Sequence, residues 1–205
     1  MKISLTKLGK RYNREWIFRN LDFHFDPGKH YAITGPNGSG KSTLLQIISG
    51  YTFFNEGNIY YFGGETSVPP EKIFQKISFA APYLEVVEEM TLLEFFSFHE
   101  KMKGWLLNLN TQEITHLSSL EKSAHKQIRY FSSGMKQRVK LAQAIFSKTP
   151  VVLLDEPLTN LDEEGVMLYH NLIEKYCRNR LVIVSSNDKK EYSFCDEILD
   201  ISRYK

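Results

Sequence analysis

Residues Gly35 to Thr43 read Gly-Pro-Asn-Gly-Ser-Gly-Lys-Ser-Thr. This satisfies G-x-x-x-x-G-K-[ST], the spacing of a loop that wraps nucleotide phosphates. Gly35, Gly38 and Gly40 open backbone conformations closed to residues with a Cβ, and Pro36, Asn37 and Ser39 fill the turn between them. Successive N–H groups can then point inward at one anion, and a helix starting after Gly40 adds its positive end. Lys41 supplies a mobile cation for the β- and γ-phosphates. Ser42 offers a hydroxyl to Mg²⁺, and Thr43 completes the motif.

A second constellation follows the run Val151-Val152-Leu153-Leu154, which delivers Asp155 and Glu156 side by side before Pro157. Open α/β sheets bind ligands at the carboxyl ends of their strands. Asp155 is suited to Mg²⁺, a hard ion that favours carboxylates and substrate oxygens. Glu156 is suited to polarising a water for in-line attack on a γ-phosphate. An acidic turn alone would be unremarkable, but beside a phosphate loop the pair reads as chemistry.

These groups need elements to place them. His30 to Thr34 reads as a strand into the loop, and Leu44 to Ser49 as an apolar helix ending at Gly50. Alternation at Ile3, Leu5 and Lys7, and at Leu21, Phe23 and Phe25, predicts earlier strands. Asn58 to Phe62 and Ile77 to Ala80 predict two more. Thr91-Leu92-Leu93-Glu94 is a capping box opening a helix to about Met102, stopped by Gly104. Trp105 to Tyr130 is polar and mixed, with short helices. A helix from Ser133 carries Met135, Val139, Ala142 and Phe146 on one face. Val151 to Leu154 reads as a central parallel strand. A helix from about Asp162 to Arg178 turns Val166, Tyr169, Leu172, Ile173 and Tyr176 inward. Leu181 to Ser185 and Glu197 to Ile201 complete the strands. This alternation implies a parallel sheet with helices on both faces.

A chain of 205 residues can bury one full core. Its net charge of +2 offers no basic field for nucleic acid. Two cysteines, Cys177 and Cys195, make no disulfide framework and fit a reducing compartment. The N-terminus lacks the apolar run of a signal peptide, and the apolar stretches are too short to span a bilayer. His99, His116, His125 and His170 show no metal-ligand spacing and are expected on the solvated surface. Phe95, Phe96, Phe98 and Trp105 are expected in the core of the helical segment.

Phe131-Ser132-Ser133-Gly134-Met135-Lys136-Gln137-Arg138 precedes the Asp155 strand. Here the chain resembles the ABC ATPase family over nearly its whole length. The family signature is Leu-Ser-Gly-Gly-Gln; Ser132 and Gly134 match it, whereas Phe131, Ser133 and Met135 depart. The resemblance implies a P-loop NTPase of the α/β class, one domain over residues 1–205. Its core is a mostly parallel sheet, with an N-terminal antiparallel β subdomain and a compact helical subdomain inserted at about 84–132. It implies ATP and Mg²⁺ as ligands, with Ser132 and Gly134 gripping the γ-phosphate of ATP held by another subunit. Thr159-Asn160-Leu161-Asp162 resembles the family's D-loop, with Asp162 reaching across the dimer. Tyr12 matches the aromatic that stacks on adenine, with Trp16 as its substitute.

Two residues that the family carries are missing. Its glutamine after the strand Ile77 to Ala80 falls at Pro82, with Glu85 as a stand-in. Its histidine after Leu181 to Ser185 falls at Asn187. An asparagine amide can donate to a γ-phosphate but carries no charge, and charge-assisted bonds are roughly twice as strong as neutral ones. Loss of one such donor costs about 10²–10³ in rate in other enzymes. With Glu156 intact, slow hydrolysis is expected.

The resemblance implies the ATP-binding subunit of an ABC transporter, acting as a homodimer or heterodimer on a separate transmembrane permease subunit. The implied place is cytoplasmic, on the inner face of the cell membrane. Three alternatives stay open. One is a soluble ABC ATPase acting on nucleic acid or ribosomes, against which the balanced charge argues. The second is a P-loop kinase, against which Ser132–Gly134 and Asp155–Glu156 argue. The third is a nucleotide-responsive scaffold with vestigial hydrolysis, which the two missing residues motivate.

Overall fold

The computed structural model describes residues 1–205 and resolves them into two compact units. The first comprises Met1–Phe79, Pro150–Asp155 and Asn179–Lys205. The second comprises Ala80–Thr149 and Glu156–Arg178.

The first unit opens with β1 (Lys2–Tyr12) and β2 (Glu15–Phe25), an antiparallel pair longer than the local alternation predicts. Register shifts between Leu5 and Leu8 and between Leu8 and Lys10 explain this. Extra residues break the period-two pattern without ending the ladder. With β4 (Glu56–Gly63) and β5 (Thr66–Ser67) they form an antiparallel sheet in the order β2-β1-β4-β5.

The second sheet runs β6 (Ile77–Ala80), β7 (Val151–Asp155), β8 (Leu181–Ser185), β3 (His30–Thr34) and β9 (Glu197–Asp200). The pairs β7–β8, β8–β3 and β3–β9 are parallel. All residues of β7 and β8 are buried, as expected of continuous apolar strands covered on both faces. Side chains alternate along a strand. Tyr31 and Ile33, Val151 and Leu153, and Leu181 and Ile183 belong to one core cluster with Leu44, Leu45 and Ile48 of α1 (Lys41–Ile48). Each such aliphatic side chain, fully buried, contributes about 1.5–3 kcal/mol. Helix α1 starts earlier than its apolar stretch suggests, because Lys41, Ser42 and Thr43 form its first turn.

The second unit is helical. Its α2 (Leu92–Lys103) begins with the expected capping box, Thr91 with Glu94, and ends at Gly104 in a left-handed conformation (φ 67°). A second capping box, Asn110 with Glu113, opens α3 (Thr111–Leu117). Helix α4 (Ser133–Phe146) and α5 (Glu163–Tyr176) follow, with Phe146 edge-on to Tyr176 at 4.8 Å. Helix α4 stops at Ser147, where the backbone leaves the helical conformation (φ −57°, ψ 138°).

Two surface assignments are corrected here. Phe98 is 47% exposed, whereas Phe95, Phe96 and Trp105 are buried. On α2 the buried stripe runs through Leu92, Phe95, Phe96 and His99, and Phe98 falls outside it. His99 is therefore a core residue, not a surface one. Its ring lies 4.9 Å from Trp105. Ser147 Oγ donates to Gln143 O (2.6 Å), so it must accept from His99 Nε2–H (2.7 Å), and Gln143 Nε2 donates to His99 Nδ1 (3.2 Å). Burial, with Lys103 nearby, pushes the imidazole down to about 4, so it is neutral at pH 7.

Candidate functional site

In the first unit, β3 runs into the loop and the loop into α1. Gly35, Gly38 and Gly40 all take positive φ, at 145°, 77° and 101°. Their roles differ. A Cβ on Gly40 would stand 2.4 Å from Ile17 Cγ2, and one on Gly35 would stand 2.8 Å from Ser39 Oγ. A Cβ on Gly38 would meet nothing within 4 Å, so only its backbone conformation needs glycine.

The loop closes on itself through Ser39 N–H, which donates to Pro36 O at 3.0 Å. Lys41 folds back into it, its Nζ donating to Gly35 O at 2.8 Å and to Pro36 O at 3.3 Å. The lysine ammonium is thus held by two carbonyls of the loop itself. Helix α1 has no side-chain cap and no acidic residue in its first turn, so neither competes with an incoming anion for its N–H groups. Asn37 is exposed, and Ser42 and Thr43 are half-buried in the first helical turn.

Asp155 ends β7 only 2% exposed, and its Oδ1 has no hydrogen-bond partner. A buried carboxylate oxygen left bare is costly. A hard cation with phosphate oxygens would satisfy it, so the residues present fit Mg²⁺ bound with a nucleotide. No three His, Cys, Asp or Glu side chains gather elsewhere as a metal-holding group.

Asn187, just past the end of β8, reaches the start of the loop. Gly35 N–H donates to its Oδ1 at 3.3 Å, and its Nδ2 donates to Asn37 Oδ1 at 3.2 Å. Tyr12 ends β1, 49% exposed, with Lys10 Nζ 4.5 Å from its ring centre. The hairpin that carries it lies by the loop, since Ile17 of β2 is the neighbour of Gly40. The Trp16 ring has the guanidinium groups of Arg11 (5.5 Å) and Arg19 (4.5 Å) near its centre, and Arg19 makes two hydrogen bonds to Glu56. Trp16 is also half-buried, whereas Tyr12 is exposed, so Tyr12 is the better placed of the two.

The second unit holds the other predicted residues. Ser132 caps α4, its Oγ accepting from Met135 N–H at 3.2 Å. A Cβ on Gly134 would stand 2.8 Å from Asn160 O, so the glycine permits the turn at 159–162 to approach the helix. Asn160 itself is left-handed (φ 64°), a conformation asparagine tolerates. Asp162 caps α5 by accepting from Gly165 N–H at 2.8 Å and also accepts from Arg138 Nη2 at 2.8 Å. The Gly165 N–H and then the Arg138 guanidinium hold its carboxyl below the usual carboxylate range. Ser132, Gly134, Asn160 and Asp162 line one open cavity of about 300 Å³.

Glu156 is exposed and also left-handed (φ 43°), at the head of the turn in which Thr159 N–H donates to its carbonyl. The carbonyls of Ala81 and Pro82 accept from Lys140 Nζ at 3.4 and 2.8 Å, so a lysine fixes the loop after β6. Glu85 is exposed.

One buried polar residue escaped the sequence reading. Ser185 is fully buried and its Oγ has no partner. The only signal was a hydroxyl closing the apolar run Leu181 to Val184, easily read as a strand end.

Known proteins resemble this chain over most of its length. The family model described as ABC transporter matches residues 18–159, more than half of the chain. The Bacillus subtilis (strain 168) ABC transporter ATP-binding protein YybJ is 31% identical over 208 residues, covering 98% of this chain and 92% of that protein. The lantibiotic transport ATP-binding protein SrtF of Streptococcus pyogenes is 30% identical over 190 residues, covering 90% and 79%. Among solved structures, a putative ABC transporter ATP-binding protein from Pyrococcus furiosus superposes with TM-score 0.82 at 25% identity over 100% of both chains. The cassette MJ0796, in a dimeric post-hydrolysis state bound to ADP and Pi, superposes with TM-score 0.82 at 22% identity, covering 98% of this chain and 95% of that one.

Proposed function

This chain belongs to the ABC transporter ATP-binding family, an ATP-binding ATPase with the P-loop NTPase fold, and from that premise we propose that two copies, or one copy and a homologue, close around two ATP molecules to drive a separate transmembrane permease. Residues 1–205 act as one ATPase domain, with about 84–132 as its inserted helical subdomain. No helix is long and apolar enough to cross a membrane, so on this reading the chain works on the cytoplasmic face through its partner.

Each residue has a part. The loop's backbone N–H groups, which Pro36 lacks, and the Lys41 ammonium hold the β- and γ-phosphates, and Tyr12 stacks on adenine. Ser42 and Asp155 would hold Mg²⁺, which when bound spreads the charge on the phosphate oxygens. Glu156 takes the proton of the attacking water. Asn187 donates a neutral hydrogen bond to the γ-phosphate, so hydrolysis is slow. Ser132, Gly134 and Asp162 meet the nucleotide of the other copy. The observation that carries the reading is the bare Oδ1 of Asp155 at the end of β7, in the same unit as the loop in which Lys41 is folded.

The test is ATP binding by calorimetry with Lys41→Ala beside the wild type. Binding at micromolar to millimolar Mg·ATP that Lys41→Ala abolishes supports the reading; equal binding by both refutes it. Asn187 and Pro82 favour a second reading, a nucleotide-responsive scaffold that closes on ATP and does not turn over. Phosphate release at zero rate from a closed dimer would select it.

A further inference from the structure

Four buried side-chain polar atoms in the molecule have no hydrogen-bond partner: Ser39 Oγ, Asp155 Oδ1, Ser185 Oγ and Trp105 Nε1. The first three lie in one unit, and two of them are direct neighbours. Asp155 of β7 is in register with Ser185 of β8, and Ser185 with Ile33 of β3, the strand that enters the phosphate loop. Side chains in register on parallel strands share a face. By the period of two, Asp155 and Ser185 continue the columns Val151–Leu153 and Leu181–Ile183, whose members pack in one core cluster with α1. At the end of that face, where the apolar columns stop, the molecule places two bare oxygens side by side. Neither bonds to the other.

A hydroxyl buried without a partner costs about 1–3 kcal/mol, and valine, as at positions 182 and 184, would avoid that cost. A buried water satisfies such groups when two or more polar partners face it. Adjacent strands stand about 4.8 Å apart, close enough for one water to touch both side chains, which do not bond each other directly.

We infer that Ser185 is a positioning residue for the cation site: its hydroxyl, through one ordered water on one lone pair of Asp155 Oδ1, fixes the Asp155 carboxylate and leaves its other lone pairs for a divalent cation bound with the nucleotide. The inference rests on the reading of the loop as a Mg·nucleotide site. It gives this chain, which lacks the usual glutamine, a polar contact of its own behind the metal ligand. Partners of this kind, one shell behind a ligand, alter metal affinity by about 10–100-fold when removed.

The experiment titrates Mn²⁺ into the stoichiometric protein–ADP complex, read by electron paramagnetic resonance, for wild type, Ser185→Ala and Ser185→Thr. ADP affinity in excess EDTA and the thermal midpoint are measured on the same samples. Ser185→Ala is expected to weaken Mn²⁺ by about 10-fold or more while metal-free ADP affinity is unchanged, and Ser185→Thr to recover it. Equal Mn²⁺ affinity in wild type and a folded Ser185→Ala protein overturns the inference and leaves the nucleotide reading intact. Failure of the wild type to bind ADP in EDTA or Mn²⁺ overturns both.

Discussion

The Asn187 carboxamide oxygen accepts from the Gly35 N–H at 3.3 Å, tying the end of β8 to the first residue of the phosphate loop. Through its amide nitrogen the same side chain holds Asn37 at 3.2 Å. Asn187 is thus engaged with the loop before any phosphate arrives, and an incoming γ-phosphate must draw its amide away. Being neutral, it gains only an ordinary hydrogen bond in exchange.

Asn187→His should therefore speed the reaction. The expected rise in kcat is roughly 10- to 100-fold, below the about 10²–10³ of a wholly lost donor because Asn187 already donates. The check is steady-state phosphate release from both proteins. An unchanged or lower kcat with ATP affinity preserved would contradict the role proposed for Asn187.

Gly134→Ala should uncouple binding from closure. The new Cβ would stand 2.8 Å from the Asn160 carbonyl, and relieving that overlap costs about 1–3 kcal/mol. The turn at 159–162 must shift, taking Asp162 with it. ATP affinity of the single chain should hold while the ATP-dependent dimer is lost. Calorimetry and sedimentation on one sample distinguish the two.

His99 should make stability depend on acid. Its folded pKa is lowered to about 4, against about 6.5 in the unfolded chain. Below 6.5 the unfolded chain takes up a proton that the folded chain refuses until about pH 4. The contribution of His99 is full above 6.5 and falls away as pH drops through this window, by roughly 3 kcal/mol at its full extent. Urea midpoints between pH 7 and pH 4 test this; His99→Gln should flatten the dependence.

The short buried parallel strands and the phosphate loop were legible because their signals are local. Four apolar residues in a row read as a central strand at Val151–Leu154, and the glycine spacing fixes the loop whatever surrounds it. The extended β1–β2 pair was not, because bulges at Leu5–Lys10 scramble the alternation on which a strand is read. His99 and Phe98 were misplaced for a related reason. Their surroundings are set by the packing of α2, not by their types. Ser185 was invisible because its neighbour Asp155 is thirty positions away in sequence and becomes a neighbour only through strand register.

The central claim is that two copies close on ATP. The direct measurement is sedimentation of the Glu156→Gln protein with Mg·ATP, with Mg·ADP, and with Lys41→Ala added. The account predicts a dimer with ATP alone, and monomers with ADP or when Lys41 is lost. A protein that binds ATP yet sediments identically in all three conditions contradicts it.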